Sequence, residues 1–239
     1  MIFDPPLEEG VLLRRYKRFL ADVALPDGST LVAHCTNTGR MTGCSAPGSA
    51  VLLARSDNPN RKLSHTLILI KVGRSWVSVD TMLPNRVVAD ALRRRRIPEL
   101  AAYDSVATEV PYGAQNRSRI DVLLTDSAGR LPPCYVEVKN VTMKSDDHAI
   151  FPDAVSERGL KHLSELSREV RRGHRAVLLP FVARGDCRAF DAAHEVDPAW
   201  TAGLSRAVAA GVELMPWRAR VSRRGVTLGS QLPWRPRHG

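Results

Sequence analysis

The chain has four cysteines, Cys35, Cys44, Cys134 and Cys187, with no Cys-x-x-Cys pair and no histidine at zinc-ligand spacing. Their scatter excludes a structural zinc site and reads as reduced thiols in a cytoplasmic protein. Aromatic residues are scarce at 5%, so a surface of stacked rings has little material. No apolar run approaches the roughly 20 residues that a membrane-spanning helix needs. The first residues, Met1-Ile2-Phe3-Asp4-Pro5-Pro6, lack the charged start and apolar core of a signal peptide. Neither an internal repeat, a low-complexity linker nor a phosphate-cradling glycine loop is present.

Negative charge is the remaining deficit. Against 25 Asp plus Glu stand 35 Lys plus Arg, a formal net charge of +10. That excess points to a polyanionic partner, nucleic acid before membrane. Most of it is arginine, the better residue for bidentate phosphate contacts.

Hydrophobic patterning divides the chain in two. Residues 1–84 predict strands over Val11 to Phe19, Leu20 to Leu25, Thr30 to Cys35, Val51 to Ser56, Thr66 to Val72 and Trp76 to Asp80, punctuated by turn formers such as Asp27-Gly28 and Asn58-Pro59-Asn60. Short strands at this spacing suit a small closed barrel, with the OB-fold as first choice. Residues 85–239 predict an α/β order: a helix opening at Asn85 or Asp90 and running to Arg96, strands over Thr108 to Tyr112, Arg119 to Leu124 and Cys134 to Val141, a long helix from Pro152 to Arg172, a strand from Ala176 to Ala183 and a helix from Pro198 to Ala210. Val212 to Val221 and Gly225 to Leu228 follow, and the tail Pro233 to Gly239 is expected to be unstructured.

The sharpest chemical feature lies in two of those strands. Strand parity puts Glu137 and Lys139 on one face of Cys134 to Val141. The turn-rich Thr125 to Pro133 suits a hairpin that sets Asp121 beside Glu137. Two adjacent carboxylates repel unless a cation separates them, and Mg²⁺ prefers such hard oxygen ligands. A nearby lysine can orient water and stabilise charge on an attacked phosphate. The simpler alternative is a solvated strand face with a cross-strand ion pair stabilising by roughly 0.2–1 kcal/mol. On the long helix, Val155, Gly159, Leu160, Leu163, Leu166 and Val170 form a stripe for packing on a sheet, and Glu157, Lys161 and Glu165 an outward row. Arg158 and His162 lie on one flank, from which they reach either the acidic cluster or a surface pairing.

Several strings resemble the sugar fermentation stimulation protein A family. They include Leu13-Arg14-Arg15-Tyr16-Lys17-Arg18-Phe19, His34-Cys35-Thr36-Asn37-Thr38-Gly39-Arg40-Met41, Leu53-Ala54-Arg55-Ser56-Asp57-Asn58-Pro59, Leu83-Pro84-Asn85-Arg86, Tyr135-Val136-Glu137-Val138-Lys139-Asn140-Val141 and Phe151-Pro152-Asp153-Ala154-Val155-Ser156-Glu157-Arg158-Gly159. The resemblance implies an N-terminal OB-fold domain joined to a PD-(D/E)xK nuclease-like domain, with DNA binding and a link to sugar-catabolic gene expression. It maps the metal-binding acids onto Asp121 and Glu137 and the lysine onto Lys139, with Mg²⁺ or Mn²⁺ as cofactor. Ile120 stands where the motif's name has proline.

Alternation in the first string sets Arg15 and Lys17 on one face, with Arg14, Tyr16 and Arg18 on the other. Together with His34, Asn37, Arg40, Arg55, Arg61 and Lys62, they are the candidate phosphate contacts of the barrel. With few rings to stack on, backbone electrostatics should dominate, giving little sequence preference and a steep salt dependence.

Overall fold

The computed structural model describes residues 1–113 and 118–236. Its first part contains β1 (Glu8–Tyr16), β2 (Leu20–Ala24), β3 (Thr30–Cys35), β4 (Ala50–Arg55), β5 (His65–Val72) and β6 (Ser75–Ser78). They run in the order β3-β2-β1-β4-β5-β6, and a parallel β3–β5 pairing (Ala33↔His65 to Cys35↔Leu67) closes the sheet into a barrel. Alternate apolar residues fill it, Leu12, Val23, Ala33, Cys35, Leu53 and Leu67 among them, all without solvent exposure. Closure removes the open edges that a five-strand sheet would leave.

The second part runs α1 (Leu83–Arg93), β7 (Ser105–Tyr112), β8 (Ser118–Thr125), β9 (Cys134–Val141), β10 (Lys144–Ser145), β11 (His148–Phe151), α2 (Glu157–Arg171), β12 (Arg175–Val182), β13 (Ala189–Ala192), α3 (Pro198–Ala209), β14 (Glu213–Leu214), β15 (Trp217–Ser222) and β16 (Gly225–Gln231). The main sheet has the order β16-β15-β12-β9-β8-β7. Its centre, β12, is buried almost end to end and pairs in parallel with β9 and β15, as expected of a strand covered on both faces. One face carries α1 and packs on Leu52, Ile68 and Leu69 of the barrel, so a single core joins the two parts. The opposite face carries α2 and α3. Gly159 lets α2 approach α3 closely: a Cβ there would lie 2.9 Å from Ser156 Oγ and 3.2 Å from the Trp200 ring, and those side chains would have to shift.

The expected order of helix, three strands, helix and strand is found. Four expectations need correction. The first strand stops at Tyr16; Lys17 and Arg18 sit in a turn with φ of 49° and 68°, so alternation does not extend to them. The long helix starts at Glu157, where Ser156 caps it by accepting from the Gly159 amide at 2.9 Å. Val155 therefore precedes the helix and is 72% exposed rather than part of the packing stripe. Glu165, expected to face solvent, is buried. The expected unstructured tail is bound as far as Arg235, with a Phe190–Trp234 bridge and the Arg235 amide donating to the Phe190 carbonyl; residues 237–239 lie outside the described set. The short strands β10, β11 and β13 form a separate small sheet that periodicity does not reveal.

Candidate metal centre and nucleic-acid interface

The β8–β9 hairpin forms in the expected register, Val122↔Val136 to Leu124↔Cys134. Past Val122 the Asp121 carboxylate enters the ladder, accepting from the Val138 amide at 2.7 Å through Oδ2 and from Asn85 Nδ2 at 2.8 Å through Oδ1. Asn85 belongs to α1, so the helix on one face of the sheet orients the aspartate. The opposite face orients Glu137. Its Oε1 accepts from Lys139 Nζ at 2.6 Å and contacts His162 Nδ1 of α2. Lys139 Nζ also lies 3.1 Å from His162 Nδ1. Arg158 Nε donates to His162 Nε2 at 3.4 Å. His162 thus reaches the acidic cluster and is itself buried.

Electrostatics separate the two acids. Burial, with Glu137 beside it, pushes the Asp121 carboxyl up to about 6. Burial pushes Glu137 up as well, but the Lys139 ammonium and His162 outweigh it and hold that carboxyl below its ordinary range. Glu137 Oε2 is buried without a hydrogen-bond partner, as is Asn140 Oδ1 three residues on. A buried carboxylate oxygen in that state lacks a hydrogen-bond donor or a cation.

These residues line a cleft of about 1220 Å³ between α1 and α2. Its rim carries Arg86 and Arg93 from α1, Arg119 from β8, and Arg158 and Lys161 from α2, all five exposed. Among the described residues no group of three or more His, Cys, Asp or Glu side chains is placed to hold a metal. Two carboxylates with a buried, unpartnered oxygen have the chemistry of a site for a hard divalent cation.

Beside the cleft lies a second buried cluster with no simple sequence signature. Glu165 Oε1 accepts from Ser118 Oγ at 2.8 Å, and both Glu165 Oε2 and Tyr112 OH are buried without partners. Asn85 or Asp90 is expected to open α1, which instead starts at Leu83, two residues before Asn85, without a side-chain cap; the bond from Asn85 to Asp121 spans 36 positions and leaves no local signal.

The barrel residues separate by role. Arg15 is committed to its own domain: Nη2 donates to the carbonyls of Arg18, Asn37 and Gly39 at 2.7, 2.7 and 2.8 Å. Asn37 is buried and accepts from the Gly39 amide, shaping the loop after β3. Arg14 pairs with Asp22 at 2.6 Å and stacks 4.7 Å over Tyr16. Lys17, Arg18, Arg40, Arg55 and Lys62 are exposed, as is Arg61, which donates to Thr66 Oγ1. His34 pairs across the sheet with that same Thr66, and Arg55 with His65, so His34, Arg55 and Arg61 gather at one end of β5.

A closed OB-type barrel fused to an α/β sheet with two acids on adjacent strands defines a two-part protein of the OB-barrel plus α/β class. The SfsA N-terminal OB domain matches residues 13–79 and the sugar fermentation stimulation protein RE domain matches residues 82–225. The chain is 49% identical over 229 residues to a sugar fermentation stimulation protein homolog of Pelobacter propionicus, covering 96% of this chain and 97% of that one. The homolog of Geobacter metallireducens is 49% identical over 228 residues, covering 95% and 97%. The structure of Pyrococcus furiosus SfsA in complex with Ca²⁺ superposes with a TM-score of 0.88 at 26% identity, covering 98% of both chains. The chain belongs to the sugar fermentation stimulation protein family. No helix among the described residues is long and apolar enough to cross a membrane.

Proposed function

We propose that this protein binds DNA with little sequence preference and hydrolyses its phosphodiester bonds in a Mg²⁺- or Mn²⁺-dependent reaction. The barrel, residues 1–84, holds the strand, and the α/β part, residues 85–239, carries the chemistry. The observation that carries this reading is the pair Asp121 and Glu137 on the floor of an arginine-rimmed cleft, with Glu137 Oε2 buried and unpartnered.

Asp121 and Glu137 are the residues that would hold the ion. The Ca²⁺ of the Pyrococcus furiosus relative supports an oxygen-preferring divalent cation here. Such an ion supplies Lewis-acid stabilisation of charge building on a phosphate. Everything else is the work of this chain. Asn85 and the Val138 amide fix the Asp121 carboxylate, and His162 fixes Glu137. The Lys139 ammonium, 2.6 Å from Glu137, is positioned to orient water and to stabilise the attacked phosphate. Rim arginines meet the neighbouring phosphates, so binding follows charge more than sequence.

Incubation of single-stranded, duplex and branched DNA with Mg²⁺ or Mn²⁺ tests the reading, comparing wild type with Glu137→Ala. Metal-dependent cleavage by the wild type alone is expected. Background cleavage in both would overturn hydrolysis and leave a DNA-binding protein, whose role is then read from salt-dependent binding.

A further inference from the structure

From Met215 to Pro236 the chain contains no Asp or Glu, yet it carries Arg218, Arg220, Arg223, Arg224 and Arg235. This segment forms the β15–β16 hairpin at the edge of the main sheet. Trp217, Ala219 and Val226 turn into the core, so parity turns Arg218, Arg220 and Thr227 outward, with Arg220 directly opposite Thr227. The outward face borders a second, more open hollow of about 450 Å³, also lined by Arg224.

The charge of this hollow is not neutralised. Arg218 donates to the Cys187 carbonyl and to Ser230 Oγ, both at 3.1 Å and both neutral. Arg223 pairs with Glu9. Arg220 and Arg224 are exposed, with no carboxylate partner among the described residues. The hollow also adjoins the main cleft at the edge of the sheet: Met1 lines both, its ammonium donating to the Val226 carbonyl of β16 at 2.8 Å.

We infer that the β15–β16 face is a second phosphate-binding surface, holding the nucleic-acid strand that runs out of the main cleft past Met1. The inference rests on the reading of that cleft as a nucleic-acid site. Sign of charge and the shared residue Met1 select the occupant: Met1, bonded to Val226 at the edge of the sheet, lines both hollows, so a strand leaving the cleft around that edge reaches Arg220 and Arg224, and no acid in the hairpin repels it. The contacts are to phosphate, so the surface lengthens the footprint without adding base specificity.

Fluorescence anisotropy with labelled single-stranded DNA in EDTA tests this, using oligonucleotides of about 4 and about 16 nucleotides, the range of strand lengths that one OB-fold engages. The protein is the full chain, as wild type and as Arg220→Ala/Arg224→Ala, both exposed positions that leave the core intact. For the long oligonucleotide the double variant should bind more weakly, with its salt slope reduced by about 1.4, or about 0.7 per lost single-strand contact. Its deficit then shrinks about sevenfold between 50 and 200 mM salt. The short oligonucleotide should bind both proteins alike. A wild-type slope for the long strand in the double variant would overturn the second surface and leave the cleft standing. Binding of neither strand by the wild type would overturn both readings.

Discussion

Replacing Lys139 with methionine keeps the side-chain stem but removes the ammonium, leaving Glu137 as a buried carboxylate with only His162 as partner. The two side chains are 13% and 3% exposed and 2.6 Å apart. Breaking a buried pair by removing one partner costs about 3–5 kcal/mol. His162 Nδ1, in contact with the same Glu137 oxygen, recovers part of that, so a loss of about 2–4 kcal/mol is expected in EDTA. In a Glu137→Gln background no buried charge is stranded, and the same change should cost about 1 kcal/mol or less. The double-mutant cycle therefore predicts a coupling of about 2 kcal/mol. Urea denaturation reads it, as midpoints at constant slope. Mn²⁺ should restore stability to Lys139→Met more than it stabilises the wild type, because the site then carries one more net negative charge. Additive single costs, or equal stabilisation by Mn²⁺, would refute the view of Glu137 as a carboxylate in need of a cation.

Arg15→Ala should lower stability by about 2 kcal/mol in thermal unfolding, since charged hydrogen bonds contribute roughly 1.5–3 kcal/mol and this guanidinium ties three carbonyls. Arg14→Ala, an exposed pair, should stay within about 1 kcal/mol. Asp197 accepts from the amides of Trp200 and Ser156 at 2.9 Å each, capping α3 and holding the entry to α2, so Asp197→Ala should cost about 2 kcal/mol. Asp126 in the β8–β9 turn is held down to about 2 by the Arg130 guanidinium and backbone amides. Its folded value lies below its unfolded one, so its contribution is full above about pH 4 and is lost as pH falls through about 2. Asp126→Asn should thus be less stable than wild type at neutral pH, and the gap should close in acid, as followed by circular dichroism.

Local pattern carried much of this molecule. Apolar patterning between turn formers located five barrel strands and β7, β8 and β9 to within a few residues, and a continuous apolar run located β12, which is covered on both faces. Parity alone put Glu137 and Lys139 together. Alternation failed at Lys17 and Arg18, where the strand pair must reverse, and helical periodicity extended α2 backward across Pro152 to Val155, where no hydrogen-bonded cap exists. Glu165 looked like one member of an outward charge row; its burial accompanies its bond to Ser118 of β8, 47 positions away.

The sequence by itself determined the basic charge, the barrel followed by an α/β order, and the acid-x-lysine triplet on its strand, since each depends on neighbours within a few residues. Tertiary structure decided which groups complete the centre. Asn85 from α1 reaches Asp121 from one face of the sheet while His162 from α2 reaches Glu137 from the other, and the arginines of both helices meet only when those helices cover opposite faces. It also decided that Arg15 is structural, because the Asn37 and Gly39 carbonyls that claim its guanidinium are brought in by a loop 22 and 24 residues away. Long-range contacts of this kind leave no period in a sequence; they are set by packing.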